Sequence, residues 1–165
     1  LVNEFSSFAR MPIPIFKSTE INTVVMRAIN FFKMSSTNEI FSKLTDKKLT
    51  ISGDEEQLYR VFINLIKNSE DSILEKKKKN IDFKGKISVE IKDNNDYITI
   101  TLIDNGIGVK DLNKIMTPYY TTKTDGTGLG LPIVKKIINE HFGDIVISNN
   151  KPGAKILITL PKIII

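Results

Sequence analysis

The chain has 165 residues, 41% of them hydrophobic and 26% charged, the proportions of a globular protein able to bury one core. The absence of cysteine excludes disulfides and thiolate metal sites and accords with a reducing compartment. No apolar run approaches the roughly 18–20 residues that cross a bilayer, and the first residues lack the basic-then-apolar order of a secretory signal, so no membrane contact is expected of this stretch.

In chain order, the sequence opens on Leu1 rather than Met and reads as a piece of a longer protein. Val2, Phe5, Phe8 and Ala9 fall at helical spacing, so Leu1–Arg10 is expected to end a helix. Pro12 and Pro14 stop it and leave Met11–Phe16 extended. Ser18 or Thr19 can cap a helix over Glu20–Met34, whose Ile21, Val24, Val25, Ala28, Ile29 and Phe32 make an apolar stripe. Ile40–Leu44 and Lys48–Ser52 read as short strands that a turn at Asp46–Lys47 would pair. Asp54 is a good N-cap for the longest helix, Glu55–Lys76, with the stripe Leu58, Val61, Phe62, Leu65, Ile66, Ser69 and Ile73.

Asn64 and Asn68 share one face of that helix. Asparagine is a poor mid-helix residue, because its amide competes with the backbone for hydrogen bonds. Two of them beside an apolar stripe are either a solvent-facing edge or a pair of carboxamides aimed at a metal–phosphate group, since Mg²⁺ takes hard oxygen ligands. The helix ends in Lys76–Lys79, which supplies much of the net charge of +5. Lysines there complement the negative helix terminus and usually form a solvated face. No aromatic residues interleave with the basic ones in a stacking pattern, so nucleic acid is not an expected partner.

Beyond it, Lys86–Lys92 and Tyr97–Ile103 alternate as strands around a turn at Asn94–Asn95. Lys110–Met116 reads as a short helix, Thr117–Lys123 has no clear period, and Leu129–Phe142 is a helix stopped by Gly143. Asp144–Ser148 and Ala154–Leu160 make a last hairpin. About three helices and six strands, with the helices clustered on one face, predict a two-layer α/β sandwich with a mostly antiparallel mixed sheet.

Two glycine-bearing turns carry the chemistry. DNGIG (Asp104–Gly108) puts a carboxylate at a strand's end, followed by glycines where side chains would block an approach. DGTGLGL (Asp125–Leu131) opens a helix, where free N–H groups and the positive end of the dipole suit phosphate. Either turn alone is readily a structural glycine turn; both in this order point to a nucleotide site.

NLIKNSEDS (Asn64–Ser72), DNGIG, PYYTTK (Pro118–Lys123) and GTGLGL (Gly126–Leu131) resemble the N, G1, F and G2 boxes of the ATP-binding catalytic domain of sensor histidine kinases. That domain has the Bergerat fold of the gyrase–Hsp90–kinase–MutL (GHKL) superfamily. PYYTTK and LPIVKKI, with EFSSFARMP (Glu4–Pro12), are similar to the NtrY branch of nitrogen-regulation kinases. The resemblance implies that Asp104 reads the adenine amino group and that Gly106 and Gly108 let backbone approach the base. It implies that Asn68 ligates Mg²⁺ on the ATP phosphates, with Asn64 beside the same ion, as the catalytic pair. Gly126, Thr127, Gly128, Leu129 and Gly130 would cradle phosphate, Lys123 is a candidate phosphate contact, and Asn113–Thr127 would be a lid over the nucleotide.

By the same resemblance, residues 1–17 end a dimerisation and phosphoacceptor helix and its linker, and residues 18–165 are the catalytic domain. The implied partners are that acceptor domain and a response regulator, within a homodimer anchored in the inner membrane whose catalytic part is cytoplasmic. Two departures stand out. Asp71 occupies a position where many relatives carry a basic residue, and the only histidine, His141, looks like a cap or buried structural residue rather than a phosphoacceptor. Hydrolytic relatives place a general-base carboxylate where this chain has Asn64, so a conformational ATPase is the weaker reading, as is a nucleotide-sensing module without catalysis.

Overall fold

The computed structural model describes residues 9–124 and 126–162. The helix end expected at Leu1–Arg10 therefore lies almost wholly outside the described residues, as does Asp125. From Lys17 onward, seven strands and three helices run in the order β1 (Lys17–Glu20), α1 (Ile21–Lys33), β2 (Glu39–Lys43), β3 (Thr50–Gly53), α2 (Glu55–Lys79), β4 (Lys86–Asn94), β5 (Tyr97–Asp104), α3 (Gly130–Glu140), β6 (Asp144–Asn149) and β7 (Ala154–Pro161).

Five strands form one sheet in the order β2-β4-β5-β7-β6, in which only β2 and β4 run parallel. Period-two alternation decides which face is covered. Ile87, Val89 and Ile91 on β4 and Ile98, Ile100 and Leu102 on β5 are buried, while Ser88, Glu90, Thr99 and Thr101 between them are not. The three helices cover that one face, with α2 packed against both α1 and α3. All seven residues of the predicted α2 stripe, Leu58 to Ile73, are buried. Each apolar one of them contributes about 1.5–3 kcal/mol relative to exposure, enough to fix which way α2 faces.

Four expectations are corrected. Ser18 and Thr19 do not cap α1 but lie in β1, antiparallel to β3, where Thr19 Oγ1 donates to the Gly53 carbonyl at 2.8 Å. The helix has no side-chain cap; the Ile21 N–H donates instead to the Leu49 carbonyl at 2.9 Å, so a neighbouring strand end does that work. The strands β2 and β3 do not pair with each other, since β2 joins β4 and β3 joins β1. The turn between β4 and β5 is at Asn95–Asp96, with Asn95 at φ 63°, one residue later than expected. Lys110–Met116 forms a single helical turn and no helix: the Asp111 carboxylate caps the N–H groups of Asn113 and Lys114, and the Ile115 N–H closes one turn on the Asp111 carbonyl at 3.1 Å, beyond which the helical pairing does not continue.

Candidate functional site

One face of α2 touches every segment that the motifs singled out. At one end stands Asp104, the last residue of β5, which is 4% exposed. The Ser69 hydroxyl donates to its Oδ2 at 3.0 Å and the Gly106 N–H to its Oδ1 at 2.9 Å. Burial pushes the Asp104 carboxyl above its ordinary range, while the Gly106 N–H, Ser69, the Ala154 N–H and the Lys76 charge act the other way. A buried acid held by donors from both sides is a fixed acceptor at the end of a strand.

The turn that follows is clamped to α2 and β6. Ser72 Oγ accepts the Ile107 N–H at 3.0 Å, and a Cβ on Gly106 would lie 2.2 Å from that oxygen. Only a glycine lets this turn lie on the helix. Lys76 Nζ donates to the Asn105 carbonyl at 2.9 Å. Asn149 grips Val109 twice, accepting its N–H at 2.7 Å and donating to its carbonyl at 3.0 Å. Gly108, at φ +77°, would place a Cβ 2.8 Å from Asn149 Oδ1.

About one and two turns from Ser72 toward the N-terminus of α2 lie Asn68 and Asn64. Asn64 Nδ2 donates to the Arg60 carbonyl at 2.9 Å, which leaves its Oδ1 toward Gly130, where a Cβ would come within 3.3 Å. Asn68 Oδ1 accepts from Lys123 Nζ at 3.0 Å, and the same ammonium lies 2.7 Å from Asp71 Oδ2. The glycine turn is packed closely on Tyr119–Thr121. A Cβ on Gly128, at φ +70°, would lie 2.3 Å from the Tyr119 carbonyl carbon, and one on Gly126 would lie 2.2 Å from Thr121 Oγ1. The Tyr119 N–H donates to the Gly128 carbonyl at 3.0 Å. Thr127 Oγ1 accepts the Leu129 N–H at 3.4 Å, and Leu129, its side chain buried, is the N-cap of α3 with no side-chain cap bond. The N–H groups of that first turn are the kind an anion takes up.

All the expected site residues thus gather around one side of α2, with Asp104 at one end and Asn64, Asn68, Lys123 and the glycine turn at the other. Ser69, Ser72, Lys76, Asn149 and Gly153 were not expected there. Ser69 could have been found, since a hydroxyl within an apolar stripe must meet a partner. Gly153 could not: at φ +95° it would place a Cβ 1.9 Å from the Asp104 carbonyl oxygen, a contact made between strands. The open apolar groove along α1, lined by Met26, Phe31, Met34 and Tyr59, holds none of these residues.

This arrangement of a covered mixed sheet, a buried acid at the end of β5 and a glycine turn opening α3 is that of a nucleotide-binding domain. The chain belongs to the histidine kinase-, DNA gyrase B- and HSP90-like ATPase family, whose match spans residues 53–164. Within it, the chain is 33% identical over 165 residues to the nitrogen regulation protein NtrY of Azorhizobium caulinodans, which covers 97% of this chain and 21% of that protein. It is 38% identical over 120 residues to sporulation kinase B of Bacillus subtilis, covering 71% of this chain and 26% of that one. The catalytic domain of histidine kinase ThkA superposes with a TM-score of 0.77 at 26% identity, over 90% of this chain and 96% of that domain. The chain spans about a quarter or less of the length of these curated relatives.

Proposed function

We propose that this chain is the ATP-binding, phosphate-donating domain of an NtrY-like sensor histidine kinase, with residues 18–165 forming the domain and 1–17 the end of the acceptor helix and its linker. The observation that carries the reading is the spacing along α2. Asn64 and Ser72 are eight positions apart, about 12 Å at 1.5 Å per residue, comparable to the span between the base and phosphates of a nucleotide. Asp104 would accept the adenine amino proton at one end, and the first turn of α3 would donate N–H groups to phosphate at the other.

Asn68 offers a hard carboxamide oxygen that already faces a cation, the Lys123 ammonium. It would fit a Mg²⁺, with Asn64 beside it; when bound, such an ion would supply charge neutralisation to the phosphates. In the transfer a histidine nitrogen outside this chain forms a bond to the γ-phosphorus, the bond to the β-phosphate oxygen breaks, and ADP departs. The domain's own share is positioning and charge neutralisation. The carboxamide of Asn64 cannot take a proton from water, so hydrolysis is slow.

The partners in this reading are the chain's own dimerisation and phosphoacceptor domain, in a homodimer, and a response regulator that receives the phosphoryl group. The catalytic part is cytoplasmic in a protein anchored in the inner membrane; among the described residues, no helix is long and apolar enough to cross a membrane.

Radiolabelled ATP incubated with this chain alone, and with the acceptor domain of its full-length protein, tests the reading. The acceptor should gain an acid-labile, alkali-stable label that Asn68→Ala abolishes. Brisk phosphate release by the chain alone would favour an ATPase instead.

A further inference from the structure

We propose that Asp71 is a positioning residue: it holds the Lys123 ammonium over Asn68 Oδ1, so that the lid of the nucleotide-free chain is latched on the position taken by the cation of Mg·ATP. The inference rests on the reading of Asn68 as the metal ligand. Asn68 and Asp71 lie three residues apart on α2 and face the same way. Lys123 reaches both across more than fifty residues of sequence, at 3.0 and 2.7 Å. The other Asp71 oxygen, Oδ1, lies 3.4 Å from Lys67 Nζ, so this acid serves one lysine of its own helix and one of the lid.

An ammonium and a magnesium ion cannot share one carboxamide oxygen, because the two positive charges would stand within a few ångströms of each other. Arrival of Mg·ATP must therefore unseat Lys123 from Asn68 and, with it, the hold of α2 on residues 118–124. An acid beside the phosphate end, otherwise repulsive to a triphosphate, acquires a purpose in the absence of nucleotide. The latch is weak enough to open: the Lys123 and Asp71 side chains are 41% and 27% exposed.

Amide hydrogen exchange of the nucleotide-free chain tests this. The Tyr119 N–H, bonded to Gly128, and the Gly126 N–H, bonded to Lys123, report lid closure. Asp71→Asn and Lys123→Met should each speed their exchange about two- to five-fold, the scale of an exposed ion pair, whereas Lys67→Met should not. Asp71→Asn should add nothing in the Lys123→Met background, and should tighten Mg·ATP binding when Lys123 is present. Unchanged exchange in Asp71→Asn, or weaker Mg·ATP binding by it, overturns the latch. Titrating ATP with and without Mg²⁺ against Asn68→Ala separates the two readings. Unchanged magnesium dependence there overturns the metal assignment and the cation exchange with it. Lost magnesium dependence, together with unchanged exchange in Asp71→Asn, overturns the latch alone.

Discussion

His141 Nε2 accepts the backbone N–H of Asp54 at 2.9 Å, across 87 residues of sequence, while its Nδ1 meets the Ile137 carbonyl at 2.8 Å. This fixes the neutral tautomer with the proton on Nδ1, and it leaves neither nitrogen available to attack phosphorus. The ring is 2% exposed and edge-on to Phe16, so the only histidine of the chain ties the end of α3 to the start of α2 and to the connector.

Protonating Nε2 would set a donor against the Asp54 N–H, and burial pushes the His141 pKa below its ordinary 6.5. The unfolded chain therefore takes up a proton that the folded one resists. The stability that neutral His141 contributes is complete above pH 6.5 and is lost as the pH falls through the lower folded-state value. Urea unfolding between pH 7.5 and 5 should show this fall, and His141→Ala should remove that component at a cost of about 2–4 kcal/mol at neutral pH.

Asp54 joins the same node through its side chain. Its Oδ1 accepts the Gln57 N–H at 3.0 Å and caps α2, and its Oδ2 accepts the Ile15 N–H at 2.8 Å. Asp54→Ala should cost about 1–2 kcal/mol, and Asp54→Ser should recover the helix cap without the connector contact. Thermal unfolding measures the first effect, and protease sensitivity of Met11–Phe16 the second.

Asp104→Asn should weaken ATP binding by about 1.5–3 kcal/mol, the range for a hydrogen bond to a charged group, and erode preference for ATP over GTP. Calorimetric titration of both nucleotides checks it. Equal affinities in the unmodified chain would remove Asp104 from base recognition.

Gly153→Ala should be severe for a residue so far in sequence from the acid it serves. Its φ of +95° is strained for any side chain, and the new methyl would meet the Asp104 carbonyl oxygen at 1.9 Å. Left-handed strain alone costs about 1–2 kcal/mol, and displacement of the β5 end adds to it. ATP affinity should fall with stability, whereas Lys151→Ala, in the same loop, should spare both.

The sequence alone determined the parts whose signals are local. The α2 stripe, the Asp54 cap, the alternation of β4 and β5 and the two glycine turns are set by periodicity and by backbone demands that a few adjacent residues express, and four boxes in order identified the family. Tertiary structure decided the rest. Whether β3 pairs with β2 or β1 depends on which edge lies near once α1 and α2 have packed, and no turn residue encodes that. Residues 110–116 close only one helical turn although the Asp111 carboxylate caps it, an outcome that apolar spacing does not reveal. Ser72, Asn149 and Gly153 hold the Asp104 turn, and Asp71 meets Lys123, because chain segments far apart in sequence arrive at one helix face. A hydrogen bond or a van der Waals limit acts between atoms in space, so these partners became definite only when the sheet closed over α2.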